Sequence, residues 1–102
     1  MIATLASLRA RAASVADATV ERLLAGIAEE LLAEYPENAT GLGIDTGARA
    51  PLKSRLTDRS AAGQAAISRR VAARLERLRA IDADSLDSAT RIDLDVVRTA
   101  HE

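Results

Sequence analysis

Apolar residues recur at spacings of three and four along two long stretches of the chain. Val20, Leu23, Leu24, Ile27, Leu31 and Leu32 form one stripe, with Glu21, Glu29, Glu30 and Glu34 lying largely elsewhere around the turn. This is the period of an amphipathic helix and predicts one over about residues 17–35, with Asp17 as a cap. Pro36 ends it, because the residue before a proline is pushed out of the helical region. A second stripe, Ile67, Val71, Leu75, Leu78 and Ile81, predicts a helix over about 59–81 whose other faces carry Arg69, Arg70, Arg74, Arg77 and Arg79. Thr57, Asp58 and Ser60 each suit its N-cap, and Gly63 weakens its first turn by about 1 kcal/mol relative to Ala.

The remaining segments carry weaker patterns. In a third helix, over about 87–102, Ile92, Val96 and Ala100 face one way with Val97 beside them, whereas Leu94 faces another. A helix apolar on two sides expects neighbours on two sides. Asp82-Ala83-Asp84-Ser85 reads as the turn before it. Residues 36–58, punctuated by Pro36, Gly41, Gly43, Gly47 and Pro51, read as a long loop, with Pro51 to Leu56 as one short helical turn docked by Leu52 and Leu56. Residues 1–16 form a leader, helical or loosely ordered. Ile2, Leu5, Leu8, Ala12 and Val15 lie at helical spacing, and the acid-poor composition with Arg9 and Arg11 also fits a transit peptide. The arginines follow the apolar residues, so a secretory signal is not supported. The chain stops at Ala100-His101-Glu102 without a stop signal, which reads as truncation inside a helix.

The expected fold class is therefore all-α: three amphipathic helices, about 17–35, 59–81 and 87–102, and a Gly/Pro-containing loop over 36–58. Composition makes the core unusual. There is no Phe or Trp, Tyr35 is the single aromatic residue, and 23 of the apolar residues are Ala. Leu, Ile, Val and close Ala contacts must supply what large aromatic side chains supply elsewhere. With no Cys, disulfides and thiolate metal sites are excluded. No apolar run approaches the ~20 residues of a membrane span.

Candidate chemistry is sparse. Asn38-Ala39-Thr40 has the form of a glycosylation sequon, but no signal peptide accompanies it, and Asn38 or Thr40 is expected to bond local backbone in a turn. Gly41-Leu42-Gly43-Ile44-Asp45-Thr46-Gly47 departs by one residue from dinucleotide-loop spacing and follows a helix instead of a strand. Its glycines read as permitting tight turns. His101-Glu102 reads as a surface dipeptide of the third helix, not part of a zinc motif. Asp93 and Asp95, two apart, face different sides of a helix and form no acid–base pair. No catalytic, cofactor-binding or metal-ligating residue is assigned.

Charge is segregated beneath a net value of −1. Arg49 to Arg79 carries nine basic residues against Asp58 and Glu76, Asp17 to Asp45 seven acids against Arg22, and Asp82 to Glu102 six acids against Arg91 and Arg98. A basic element between two acidic ones suits packing within one chain. Nucleic-acid binding is not expected, because the chain lacks a chain-wide basic excess and aromatic stacking residues other than Tyr35.

The order of these features carries a resemblance. Leu31-Leu32-Ala33-Glu34-Tyr35-Pro36-Glu37-Asn38-Ala39-Thr40-Gly41-Leu42-Gly43 precedes Leu56-Thr57-Asp58 and Ser60-Ala61-Ala62-Gly63. An Arg-rich helix then reaches Leu75-x-x-Leu78-x-x-Ile81-Asp82, and Ser85-Leu86-Asp87-Ser88-x-x-Arg91-Ile92-Asp93-Leu94-Asp95-x-Val97 follows. From about Val20 to Glu102 the succession resembles the N-terminal region of the bacterial family called domain of unknown function 885. The resemblance implies a zinc-metallopeptidase-like helical protein, several times longer, whose metal motif of a His-Glu…Pro-Gly-His type lies far downstream. His101-Glu102 does not align with that motif, so no catalytic residue is carried over, and zinc would belong to the full-length protein alone. Many members look exported, some as lipoproteins. The expected location is the bacterial cytoplasm, or the periplasm or exterior if an export signal is missing from this start. The expected role is structural: a helical segment that packs against a C-terminal helical body and walls a substrate cleft. The alternative is an autonomous interaction module that self-associates as an antiparallel dimer.

Overall fold

The computed structural model describes the backbone of residues 2–102 and the side chains from Val15 onward. The fold is all-α, with no strand among the described residues. Helix α1 spans Ile2–Glu34, α2 Pro36–Gly41, α3 Ala61–Arg79 and α4 Ser88–His101, and 3-10 segments cover Gly47–Ser54 and Ala83–Ser85.

Several boundaries differ from those read in the sequence. Helix α1 passes through Asp17 without a break. Asp17 caps nothing there; its Oδ1 accepts the backbone N–H of Asp87 at 2.9 Å. Val15, expected on an apolar stripe, is exposed, and the stripe's other members, Ile2, Leu5, Leu8 and Ala12, lie outside the described side chains. Pro36 does stop α1, with Tyr35 at φ −125° and ψ 67°, but it also occupies the first position of α2. A proline is well suited there, because its missing N–H has no partner to lose. The loop over 36–58 is thus one short helix and one 3-10 stretch. Of the two leucines expected to dock that stretch, Leu52 is buried and Leu56 is 80% exposed.

The chain divides into two compact units. One is Gly26–Val71. Its buried apolar residues are Ile27, Ala39, Leu52 and Ile67. Helix α2 closes through a double backbone bond: Gly43 N–H donates to Thr40 O and Ile44 N–H to Ala39 O, each at 3.0 Å. This Schellman geometry needs a left-handed residue, and Gly43 supplies it at φ +70°. Thr40 Oγ1 donates to the buried Asp45 carboxylate at 2.7 Å, so its hydroxyl serves a side chain and not local backbone. Ser60 is the cap of α3, its Oγ accepting Gly63 N–H at 3.0 Å. Asp58 sits behind it, accepting the N–H and hydroxyl of Ser60. A methyl group added at Gly63 would overlap the Asp58 carboxyl. Gly63 is therefore a requirement of this corner and not only a weak helix former.

The other unit joins the chain up to Ala25 with Ala72–Glu102. Val20, Leu24, Leu78, Leu86 and Leu94 are its buried apolar residues. Asp82 caps the short Ala83–Ser85 segment, accepting Asp84 N–H at 3.1 Å, and Asp87 caps α4, accepting Thr90 N–H at 2.8 Å. Arg98 donates to the Leu78 carbonyl at 2.9 and 2.7 Å and to the Ile81 carbonyl at 2.9 Å. It thereby satisfies the orphan acceptors at the negative end of α3.

Candidate functional site

Two buried faces run at spacings of four and three through α3 and α4. On α3 the buried or half-buried positions include Ile67, Val71, Arg74 and Leu78; on α4 they include Thr90, Leu94, Val97 and His101. Each stripe includes a polar residue that the apolar pattern had assigned to the surface. Arg74 is only 1% exposed, and His101 is buried instead of forming a surface dipeptide with Glu102. Arg74 Nε–H donates to His101 Nε2 at 3.2 Å, and His101 Nδ1 contacts the Val97 carbonyl at 2.8 Å. The carbonyl can only accept, so the proton sits on Nδ1 and the Nε2 lone pair faces the guanidinium. Spacing alone was the available signal: Arg74 stands three residues after Val71 and four before Leu78.

The opposite face of α4 carries the second apolar side read in the sequence. Ile92 and Val96 are each 63% exposed, with Ala100 exposed beside them, while Leu94 is fully buried. Two-sidedness is real: the covered side carries Leu94 and Val97, and the open side Ile92 and Val96. The cations of α4 are turned to backbone: Arg91 donates to the carbonyls of Ala83 and Leu86, at 3.2 and 3.1 Å, and Arg98 to those at the end of α3. On α1, Glu21 is hydrogen-bonded to Asp93, whose proximity raises the Glu21 carboxyl above its ordinary range.

In the unit Gly26–Val71, a cleft of about 350 Å³ is lined by Glu30, Ala33, Glu34, Arg55 and Arg70. An adjoining recess of about 210 Å³ shares Glu34, Arg55 and Arg70 and extends toward Leu56 and Ile67. Glu34 is buried, and its carboxylate accepts Arg70 Nε–H at 2.7 Å. Glu29 pairs with Arg49, whose Nε reaches its two oxygens at 3.1 and 3.2 Å. The Thr57 hydroxyl, at 2.5 Å, and its N–H, at 2.9 Å, bind Glu37 and hold its carboxyl down at about 2. Acids of the first segment thus meet partners in the basic one, as the charge segregation anticipated.

These links fix the turns of this unit. Among the described residues no three or more His, Asp or Glu side chains gather as metal ligands, and both ring nitrogens of His101 are engaged. Asp93 and Asp95 are both exposed on α4. No helix among the described residues is long and apolar enough to cross a membrane.

No curated protein and no solved structure matches the chain. A family model, described as bacterial protein of unknown function (DUF885), matches residues 36–102, which is more than half of the chain. That stretch includes the Schellman corner, the capped Arg-rich helix α3 and the whole of α4, and on this match the chain belongs to the bacterial DUF885 family.

Proposed function

We propose that the chain is a structural helical segment of a zinc-metallopeptidase-like DUF885 protein, corresponding to its N-terminal part. In this reading it packs against a helical body and helps wall a cleft, and any metal-dependent hydrolysis rests on residues outside this stretch. The observation that carries the reading is the exposure of Ile92 and Val96 on a helix whose opposite face already buries Leu94. A helix with a second apolar side is built for a second neighbour.

The 102-residue chain tests this directly. Binding of an apolar fluorescent dye that Ile92→Ser with Val96→Ser abolishes, with the helical circular dichroism unchanged, is the expected result. A monomer that melts sharply and binds no dye would sink the reading. A defined dimer by light scattering, lost in the same double variant, would favour the self-associating module instead.

A further inference from the structure

The chemistry around the Ile92–Val96 ridge specifies what covers it. We infer that α4 docks an amphipathic helix whose apolar stripe is bordered by lysine or arginine. This rests on the scaffold reading above and adds the partner's character to it.

Ile92 and Val96 stand one helical turn apart, with Ala89 and Ala100 on the same side. Together they make a narrow ridge of the width one helix can cover. The borders of the ridge are acidic. Asp93 lies toward one edge and Asp95 toward the other, and both are exposed. Glu21 of α1 stands against Asp93 and adds a second carboxyl at that edge. The two arginines of α4 itself are used elsewhere. Arg91 and Arg98 donate to the backbone carbonyls of Ala83, Leu86, Leu78 and Ile81. Two carboxyls held within hydrogen-bond reach, with α4's own arginines directed to backbone, are an arrangement that an approaching cation relieves.

The same charges argue against a second copy on this ridge. An isologous pairing through Ile92 and Val96 would set acidic border against acidic border, and like charges across an interface are unfavourable. An acidic or neutral helix would gain the apolar contact but not the border. The basic-bordered helix gains both.

The probe is a fluorescein-labelled synthetic helix with a Leu/Ile stripe bordered by lysines, compared with the same stripe bordered by glutamates. Anisotropy titrations use the full 102-residue chain. The lysine-bordered helix is expected to bind at least roughly tenfold more tightly, with the preference shrinking as salt is raised. Asp93→Asn with Asp95→Asn should remove most of that preference while leaving the glutamate-bordered helix no weaker. Ile92→Ser should weaken both, and its unchanged circular dichroism shows that the fold persists. Equal binding of the two helices would overturn the basic-border inference and leave the scaffold reading standing. Binding of neither would overturn both. A chain that dimerises through this ridge, shown by loss of the dimer in Val96→Asp, would also overturn the inference.

Discussion

The two compact units are held together by different chemistry. The unit Gly26–Val71 has a small apolar interior and relies on directed polar links: Glu29 to Arg49, Glu34 to Arg70, Glu37 to Thr57 and Thr40 to Asp45. The unit containing α4 buries Val20, Leu24, Leu78, Leu86 and Leu94 and sets one polar pair, Arg74 and His101, inside its interior. The first segment is short-helical and turn-rich, so its backbone must be fixed by side chains and glycines. The second is built from longer helices that fix their own backbone, and packing between side chains then determines its shape. The polar unit should respond to backbone substitutions and to acid, and the apolar unit to lost volume.

The largest expected effect tests the apolar unit. Leu94→Ala removes a fully buried side chain and should cost about 2–5 kcal/mol, measured by urea unfolding of the chain. A cost below about 1 kcal/mol would mean the site collapses around the smaller residue and that packing there is loose.

Gly63→Ala tests the polar unit's corner. The new methyl must displace the Asp58 carboxyl, so a loss of about 1–3 kcal/mol is expected despite the better helix propensity of alanine. With Asp58→Ala in the background the same change should turn neutral or favourable. A double-mutant cycle on thermal melts reads that coupling directly.

The paired glycines of the preceding loop sharpen the contrast further. Gly43→Ala should cost about 1 kcal/mol, because Gly43 is left-handed at φ +70°. Gly41→Ala should cost nothing or gain slightly, since Gly41 has an ordinary helical backbone with open space at its Cβ. Equal effects at the two positions would refute the Schellman assignment.

Acid titration gives the smallest and most specific test. Glu37 is lowered from its ordinary 4.5 to about 2 by the Thr57 hydroxyl and N–H. A depressed carboxyl contributes stability that is present above the unfolded value and lost as pH falls through the folded one. Stability of the wild-type chain should therefore fall between about pH 4.5 and 2. Glu37→Gln should flatten that fall without abolishing it, because Asp58 and Asp87 are lowered in the same sense by Ser60 and by Thr90. An unchanged acid slope in Glu37→Gln would show that the Thr57 link does not form.

Much of this architecture was legible in local patterns. The helical spacing of Val20, Leu24 and Ile27, the stop at Pro36, and Ser60 as one of three candidate caps all follow from backbone sterics and the orphan N–H groups at helix starts. These are interactions within a few residues, which a linear sequence displays. The resemblance to the family rested on the same local succession, and the family match over residues 36–102 agrees with it. The candidate surface was half legible: the two-sided character of α4 was readable, but the side left open was not.

What the tertiary structure decided was which residues of each helix face inward. Spacing placed Ile92, Val96 and Ala100 on one side of α4 and Leu94 on another without choosing between them, and the covered stripe is Thr90, Leu94, Val97 and His101. The reason is that burial depends on what the neighbouring element offers. Arg74 is buried and presents an N–H to His101, so the imidazole's Nε2 has a donor there. By itself, the sequence determined the all-α class, the stop at Pro36 and the segregation of charge, because those are set by neighbours along the chain. Only the tertiary structure decided that a cation and an imidazole would be buried while two aliphatic side chains stayed in water, because that choice belongs to groups 27 residues apart.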